Sequence, residues 1–444
     1  MTRTAPPPST AGASGTERRR GLRLIAVAIV LTGFNLRTAV NSVGPVLEEL
    51  ERGLSISSGL AGVVTTMPVL CFAVIGFAGP PLAARYRDGH VLAGALLAMA
   101  AGTVLRVVTD AFWLFLVGTV LAMVGGAIGN VLLPSLVKRY FPERTGLLIG
   151  AYSVSMAVGG AIASVTAAPL AAATGADGWR WALGVWAVFA AVTALPWLAV
   201  PARPGASREA HRQVRMRSLL RSRMALALAL FFAMQSMQAY VLIGWTAQYL
   251  RDEGLSAATA GLLLGINTIV VIPLNAIVPT LTVRPHLQRP LLAVFCASYV
   301  AGWVGLMVAP RSVPWLWMAL LALGMGTFAM VLTLIGLRAR TPETTAALST
   351  TTQGWGYLLA GAGPLLVGVL RGSTGGYTGM FVVVLAGVAV LVVTGWFVTR
   401  ERYVDDEVPG WGSDAHHGDV IEVAGTEPPV TVHVTEPGGG SPRG

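Results

Sequence analysis

Apolar residues fall along this chain in blocks of about twenty, separated by short polar interruptions, with no alternation of period two inside the blocks. When helical, a block of that length crosses a hydrocarbon core of roughly 30 Å at about 1.5 Å per residue. Twelve blocks predict twelve spans, at 22–47, 57–82, 90–109, 112–138, 145–172, 179–200, 224–249, 257–282, 290–309, 314–337, 346–370 and 377–399. Barrel strands are shorter and alternate, and backbone in lipid must satisfy its own hydrogen bonds, so the spans are helices and the chain is an all-α membrane protein. The first block follows TERRRGLR, and with eleven more behind it reads as an uncleaved first helix.

Composition agrees, and charge adds an orientation. At 54% hydrophobic and 12% charged over 444 residues, the chain lies outside the range of soluble globular domains. With the N-terminus placed in the cytoplasm, 23 Lys and Arg residues fall on the inner side against six on the outer, Arg52, Arg106, Arg180, Arg251, Arg311 and Arg371. The positive-inside rule therefore predicts a multi-pass protein of the cytoplasmic membrane with both termini inside. The net charge of +10 is then a topology signal, and no nucleic-acid partner is needed to explain it. Cys71 and Cys296 both lie in predicted spans, in opposite halves, and imply no disulfide framework.

The chain is also duplicated. LAMVGGAIGNVLLPSLVKRYFPERT (121–145) and LALGMGTFAMVLTLIGLRARTPETT (321–345) align without gaps at an offset of 200, and LERGLS (50–55) recurs as LRDEGLS (250–256). Two parallel six-helix halves joined by an Arg-rich linker resemble the plan of the major facilitator superfamily. The expected organisation is a disordered inner N-terminus (1–21), a first bundle (22–200), the linker (201–223), a second bundle (224–400) and a disordered inner tail (401–444). The loop after the second span, GPPLAARYRDGHVL, is a degenerate form of that superfamily's basic loop, with Ala84 where an aspartate is usual and Arg87 in place of a glycine.

A narrower resemblance follows from NLRTAVNSVGPVL in the first span, TTMPVLCFAVIGFAGPPLAAR in the second, GNVLLPSLVKRYFPERTG after the fourth and FFAMQSMQAYVLIGWTAQYLRDEGLSAATAGLLL through the seventh and eighth. These are similar to the cyanate permease and 2-nitroimidazole transporter family. The resemblance implies transport of a small solute, often anionic or electron-poor.

Arg37 is the residue the apolar pattern does not accommodate. Phe34, Arg37, Thr38, Asn41 and Pro45 share one helical face, and Arg37 lies roughly 5 Å from the midplane at 1.5 Å per residue. A charge at the helix centre costs about 2.5–3.5 kcal/mol, so something must compensate it. Every Asp and Glu falls in a predicted loop or tail, which leaves carbonyls, amides, water or the solute as partners. Arg106 and Arg371, near outer helix ends, are read instead as reaching the interface.

Across from Arg37, the first helix of the second half carries Gln235, Gln238 and Trp245 on one face, as solute contacts or as helix-to-helix hydrogen bonds. Tyr240 lies in the same helix, and Gln353, Trp355 and Tyr357 of the eleventh span are further, weaker candidates for the same cavity. Gly125, Gly126, Gly129 and Asn130 form a small-residue ridge assigned to helix packing. No catalytic or metal-binding constellation and no phosphate loop is present in the sequence, so no enzyme activity and no cofactor is expected, and the chain carries no ATP-driven motor. The resulting expectation is a monomeric secondary transporter, working by alternating access on a small, anionic, cyanate-like or organic-acid solute. The alternative is a multidrug-type exporter of small aromatic compounds such as nitroimidazoles.

Overall fold

The computed structural model describes residues 11–85, 88–175, 177–198 and 219–407. Among these residues, twelve helical stretches are long and apolar enough to cross a membrane. They are α1 (Ala11–Asn41), α2 (Ser58–Arg85), α3 (Asp88–Val108), α4 (Phe112–Tyr140), α5 (Thr145–Ala173), α6 (Gly178–Leu198), α7 (Arg223–Asp252), α8 (Ala257–Thr282), α9 (Pro285–Val308), α10 (Pro314–Gly324 and Gly326–Leu337), α11 (Pro342–Ala360 and Ala362–Thr374) and α12 (Thr378–Val398). α1 begins at Ala11, inside the stretch expected to be disordered, and most of the linker, residues 199–218, lies outside the described residues.

Breaks in the helices follow from particular residues. α1 stops at Asn41 and gives way to a short 3-10 turn, Gly44–Val46, then to a short helix, Leu47–Gly53. Pro45 has no N–H to donate back to the Asn41 carbonyl, so the α-helix breaks within the first span, whose apolar stretch runs on through the turn and the short helix to Gly53. α10 is interrupted at Met325, where Tyr299 and Phe295 of α9 press on Gly324 and Gly326; a Cβ on either would sit 2.6 Å from a ring carbon. α11 is interrupted at Gly361, whose carbonyl accepts from the Thr66 hydroxyl of α2 at 3.3 Å.

The ridge on α4 packs against two neighbours. Gly125 meets the Ala95 carbonyl of α3, and Gly129 faces the Leu36 side chain of α1 at 2.7 Å from its virtual Cβ. Gly126 also faces α1, at the Leu36 carbonyl, and Asn130 is half-buried one residue beyond the ridge.

The start of the tail is ordered, contrary to its composition. Val404–Asp406 form a 3-10 turn with Val404 fully buried, and the Val404 N–H donates to the Arg338 carbonyl at 2.9 Å. Its carboxylates satisfy helix N-termini. Glu407 accepts from the Ser222 hydroxyl at 2.8 Å and the Met224 N–H at 2.9 Å, where α7 begins, and Asp405 accepts from the Thr344 hydroxyl at 2.8 Å, where α11 begins. Residues 408–444, including His416 and His417, lie outside the described residues.

Candidate functional site

The two halves, α1–α6 and α7–α12, meet along α2 against α11 and α5 against α8. Among the described residues, the hydrogen bonds and ion pairs that join them lie from Asn41 toward the Arg371 end, the end expected to face outward. Asn41 donates weakly to the Thr268 hydroxyl of α8 at 3.5 Å. Beyond it, the short helix Leu47–Gly53 brings three carboxylates to the second half. Arg251 makes a two-pronged pair with Glu49 at 2.8 Å on each arm, reaches Glu48 at 2.9 Å and donates to the Pro45 carbonyl at 3.0 Å. Arg371 pairs with Glu51 at 3.3 Å and with Asp252 at 3.0 Å, and donates to the Ser58 hydroxyl at 3.1 Å. Arg371 therefore ties the halves together and does not reach out to the interface as the sequence suggested.

The seam between the charges and the centre is built from small residues. A Cβ built on Gly368 of α11 would lie 2.7 Å from the Gly62 Cα of α2, and one on Gly261 of α8 would lie 2.6 Å from the Ser164 carbonyl of α5. Between the halves there remains a void of about 10 Å³, lined in part by Ala39, Thr65, Thr119 and Tyr240. That is room for about one water.

Inward of this seal stands Arg37. Its side chain is half-buried and has no hydrogen bond or ion pair among the described residues, and the phenol groups of Tyr240 of α7 and Tyr357 of α11 lie within electrostatic range of its charge. α1 lies close on α5 here, for a Cβ on Gly160 would come within 3.1 Å of the Arg37 Cβ and 2.8 Å of the Asn41 amide nitrogen. Tyr357 sits among rings from both halves, 5.8 Å from Phe72, 4.9 Å from Phe232 and 6.4 Å from Tyr240. A guanidinium of the first half thus lies within electrostatic range of a ring cluster drawn from both halves. Tyr240 and Tyr357 lie near Arg37 on the side of the second half; Tyr357 is one of the weaker cavity candidates offered by the sequence, and Tyr240 shares its helix with Gln238.

The other expected contacts separate. Gln238 is fully buried; it donates to the Val384 carbonyl at 2.7 Å and accepts from the Trp303 indole at 2.7 Å, so both ends of its amide are committed to the second half. Trp245 is fully buried and donates to the Pro364 carbonyl at 3.1 Å, with the Arg371 guanidinium over its ring at 5.8 Å, which places it at the ion-paired end. Gln235 donates to Ser236 at 2.6 Å and half-buried Gln353 donates to Ser349 at 2.7 Å. Arg106 is fully buried, with its guanidinium turned inward to α1, so it too does not reach the interface.

Comparison with known proteins places this geometry. A family model described as Major Facilitator Superfamily matches residues 25–363. The chain belongs to the major facilitator superfamily. This superfamily member is 34% identical over 374 residues to the 2-nitroimidazole transporter of Escherichia coli (strain K12), covering 83% of this chain and 93% of that one. It is 29% identical over 352 residues to the cyanate transport protein CynX of the same organism, covering 79% and 91%. Among solved structures, an inward-facing, occupied bacterial homologue of the human lysosomal transporter Spinster matches with a TM-score of 0.70 at 18% identity, covering 84% of this chain and 95% of that one. The major facilitator fold and a membrane-transport role for the chain follow from these likenesses.

Proposed function

We propose that this facilitator carries a small anionic solute across the cytoplasmic membrane by alternating access, with both termini inside and with Arg37 as the anion-binding residue. The observation that carries the reading is the state of Arg37: a half-buried arginine at the interface of the halves, without a carboxylate or hydrogen-bond acceptor among the described residues. A planar fork of five donors suits a carboxylate or another small oxyanion, whose charge would offset the cost of holding an arginine inside the membrane. Tyr240 and Tyr357 supply hydroxyls from the second half, so solute bound at Arg37 would bridge the halves. The seal lies on the Arg371 side of Arg37, and in the proposed orientation that is an inward-facing state.

The aromatic wall of Phe72, Phe232, Tyr240 and Tyr357 favours a second reading, export of small electron-poor aromatic compounds, in keeping with the relative named for 2-nitroimidazole. One experiment separates the two. Cyanate, formate, benzoate and 2-nitroimidazole are tested for raising the thermal midpoint of the purified protein, and for counterflow in proteoliposomes. Stabilisation and counterflow by cyanate, formate and benzoate support the first reading; a response to the nitroaromatic compound alone overturns it in favour of the second.

A further inference from the structure

The end of α1 exposes backbone carbonyls inside the membrane, where each needs a donor. The Thr38 carbonyl keeps its helical donor, the Ser42 N–H, at 3.1 Å. The Val43 N–H slips one residue and donates to Val40 at 3.4 Å, which leaves the Ala39 carbonyl without its helical donor. The Asn41 carbonyl loses its own because Pro45 has no N–H. Neighbouring helices supply both. The Ser164 hydroxyl of α5 donates to Asn41 at 3.3 Å, and the Arg106 guanidinium of α3 donates to Ala39 at 3.3 Å. Arg106 is fully buried, pairs with no carboxylate among the described residues, and its other two guanidinium nitrogens have no partner. The charge it faces is the negative end of α1, the compensation open to a cation at a helix C-terminus. Close contact of α3 with α4 sets its stem, for a Cβ on Gly118 would lie 2.7 Å from the Arg106 backbone nitrogen.

From this geometry we infer that Arg106 is a positioning residue for the solute site. By holding the last turn of α1 through Ala39, it fixes the direction of the turn that carries Arg37 and Asn41, without touching solute itself. The inference rests on the reading of Arg37 as the anion-binding residue. It also accounts for two arginines in one apolar region: one faces the solute, the other ends the helix that presents the first.

The test uses the detergent-purified full-length protein with Arg106→Lys and Arg106→Met, and cyanate and benzoate as probes. Lys retains a charged donor for the Ala39 carbonyl and is expected to keep probe affinity within about threefold, whereas Met is expected to lose about tenfold or more. Wild-type affinity in Arg106→Met overturns the inference. A second arm works without solute. In a Cys71→Ser, Cys296→Ser background, Arg37→Cys is labelled with neutral N-ethylmaleimide, so that rates report position rather than charge. Arg106→Met is expected to change the labelling rate several-fold and Arg106→Lys to leave it near that of the background. Equal rates in all three overturn the inference even if anion binding falls. If Arg37→Gln binds both probes normally, the solute-site reading fails instead, and the labelling arm alone decides the role of Arg106.

Discussion

α1 and α7 occupy equivalent places in the two halves and ended up with opposite uses for their polar groups. α7 is one unbroken helix of 30 residues whose amides are tied to neighbours: Gln238 to α9 and α12, Gln248 to Glu51 at 3.1 Å. α1 breaks at Asn41, is clamped there by α3 and α5, and leaves Arg37 half-buried and unpaired among the described residues. The repeated segment that follows each helix has diverged in the same sense. Glu51 stands where the second copy has Arg251, and each engages the opposite half, Glu51 through Arg371 and Arg251 through Glu48 and Glu49. A duplicated interface would otherwise set like charges against each other; divergence of sign turned it into a closure. On the proposed reading, the difference teaches that one half presents the solute-binding group while the other supplies a firm wall.

The largest expected effect is at Arg37. Arg37→Lys keeps the charge and loses the paired geometry, and should weaken cyanate or benzoate binding by about 100-fold, close to 2.7 kcal/mol. Arg37→Gln should lose binding altogether while the ligand-free protein melts no lower than wild type, since an uncompensated charge leaves the membrane. Undiminished binding in the Lys variant would reduce Arg37 to a backbone-bonding residue and erase the contrast between the helices.

Next comes the closure itself. Arg371→Gln removes the pairs to Glu51 and Asp252, and in a Cys71→Ser, Cys296→Ser background it should speed modification of Thr65→Cys by an impermeant thiol reagent added outside by about tenfold. The same reagent added outside should label Ser373→Cys and leave Ser207→Cys, in the linker, unmodified. Labelling of Ser207→Cys from outside inverts the orientation.

A smaller effect, on stability alone, is expected in α7. Gln238→Leu strands the Trp303 indole and should cost about 1–2 kcal/mol of stability, read as a lower thermal midpoint, with probe affinity unchanged. A loss of affinity without a loss of stability would return Gln238 to the solute site. The smallest change is at the tail. Glu407→Gln keeps an acceptor for Ser222 and Met224 but removes the charge at the start of α7, and should lower the midpoint by the equivalent of about 0.5 kcal/mol.

Much of this was legible from the sequence: twelve spans, the duplication, and Arg37 as an arginine without a membrane carboxylate. What could not be read depended on partners remote in the chain. Nothing near Gln238 announces that Trp303 will donate to it, and Arg371 finds Glu51 from 320 residues earlier. Hydropathy also could not show the helix break at Pro45 inside the first span, because apolar residues continue past the point where the backbone loses its donor. The tail misled for a similar reason. Its acids look solvated by composition, yet Asp405 and Glu407 are acceptors for helix starts that only the fold brings near.

The contact of Gly62 with Gly368 has a dynamic consequence. Side chains that interlock across a moving interface must be reordered at every closure, at up to about 1.5–2 kcal/mol each for the flexible ones. Two bare Cα atoms have no rotamers to lose or to trap, so under the proposed alternating access this part of the interface would part and rejoin in one register on every cycle. A single methyl group there, Gly368→Ala, would act as a wedge against the backbone of the other half, holding the carrier partly ajar without altering anything the solute touches.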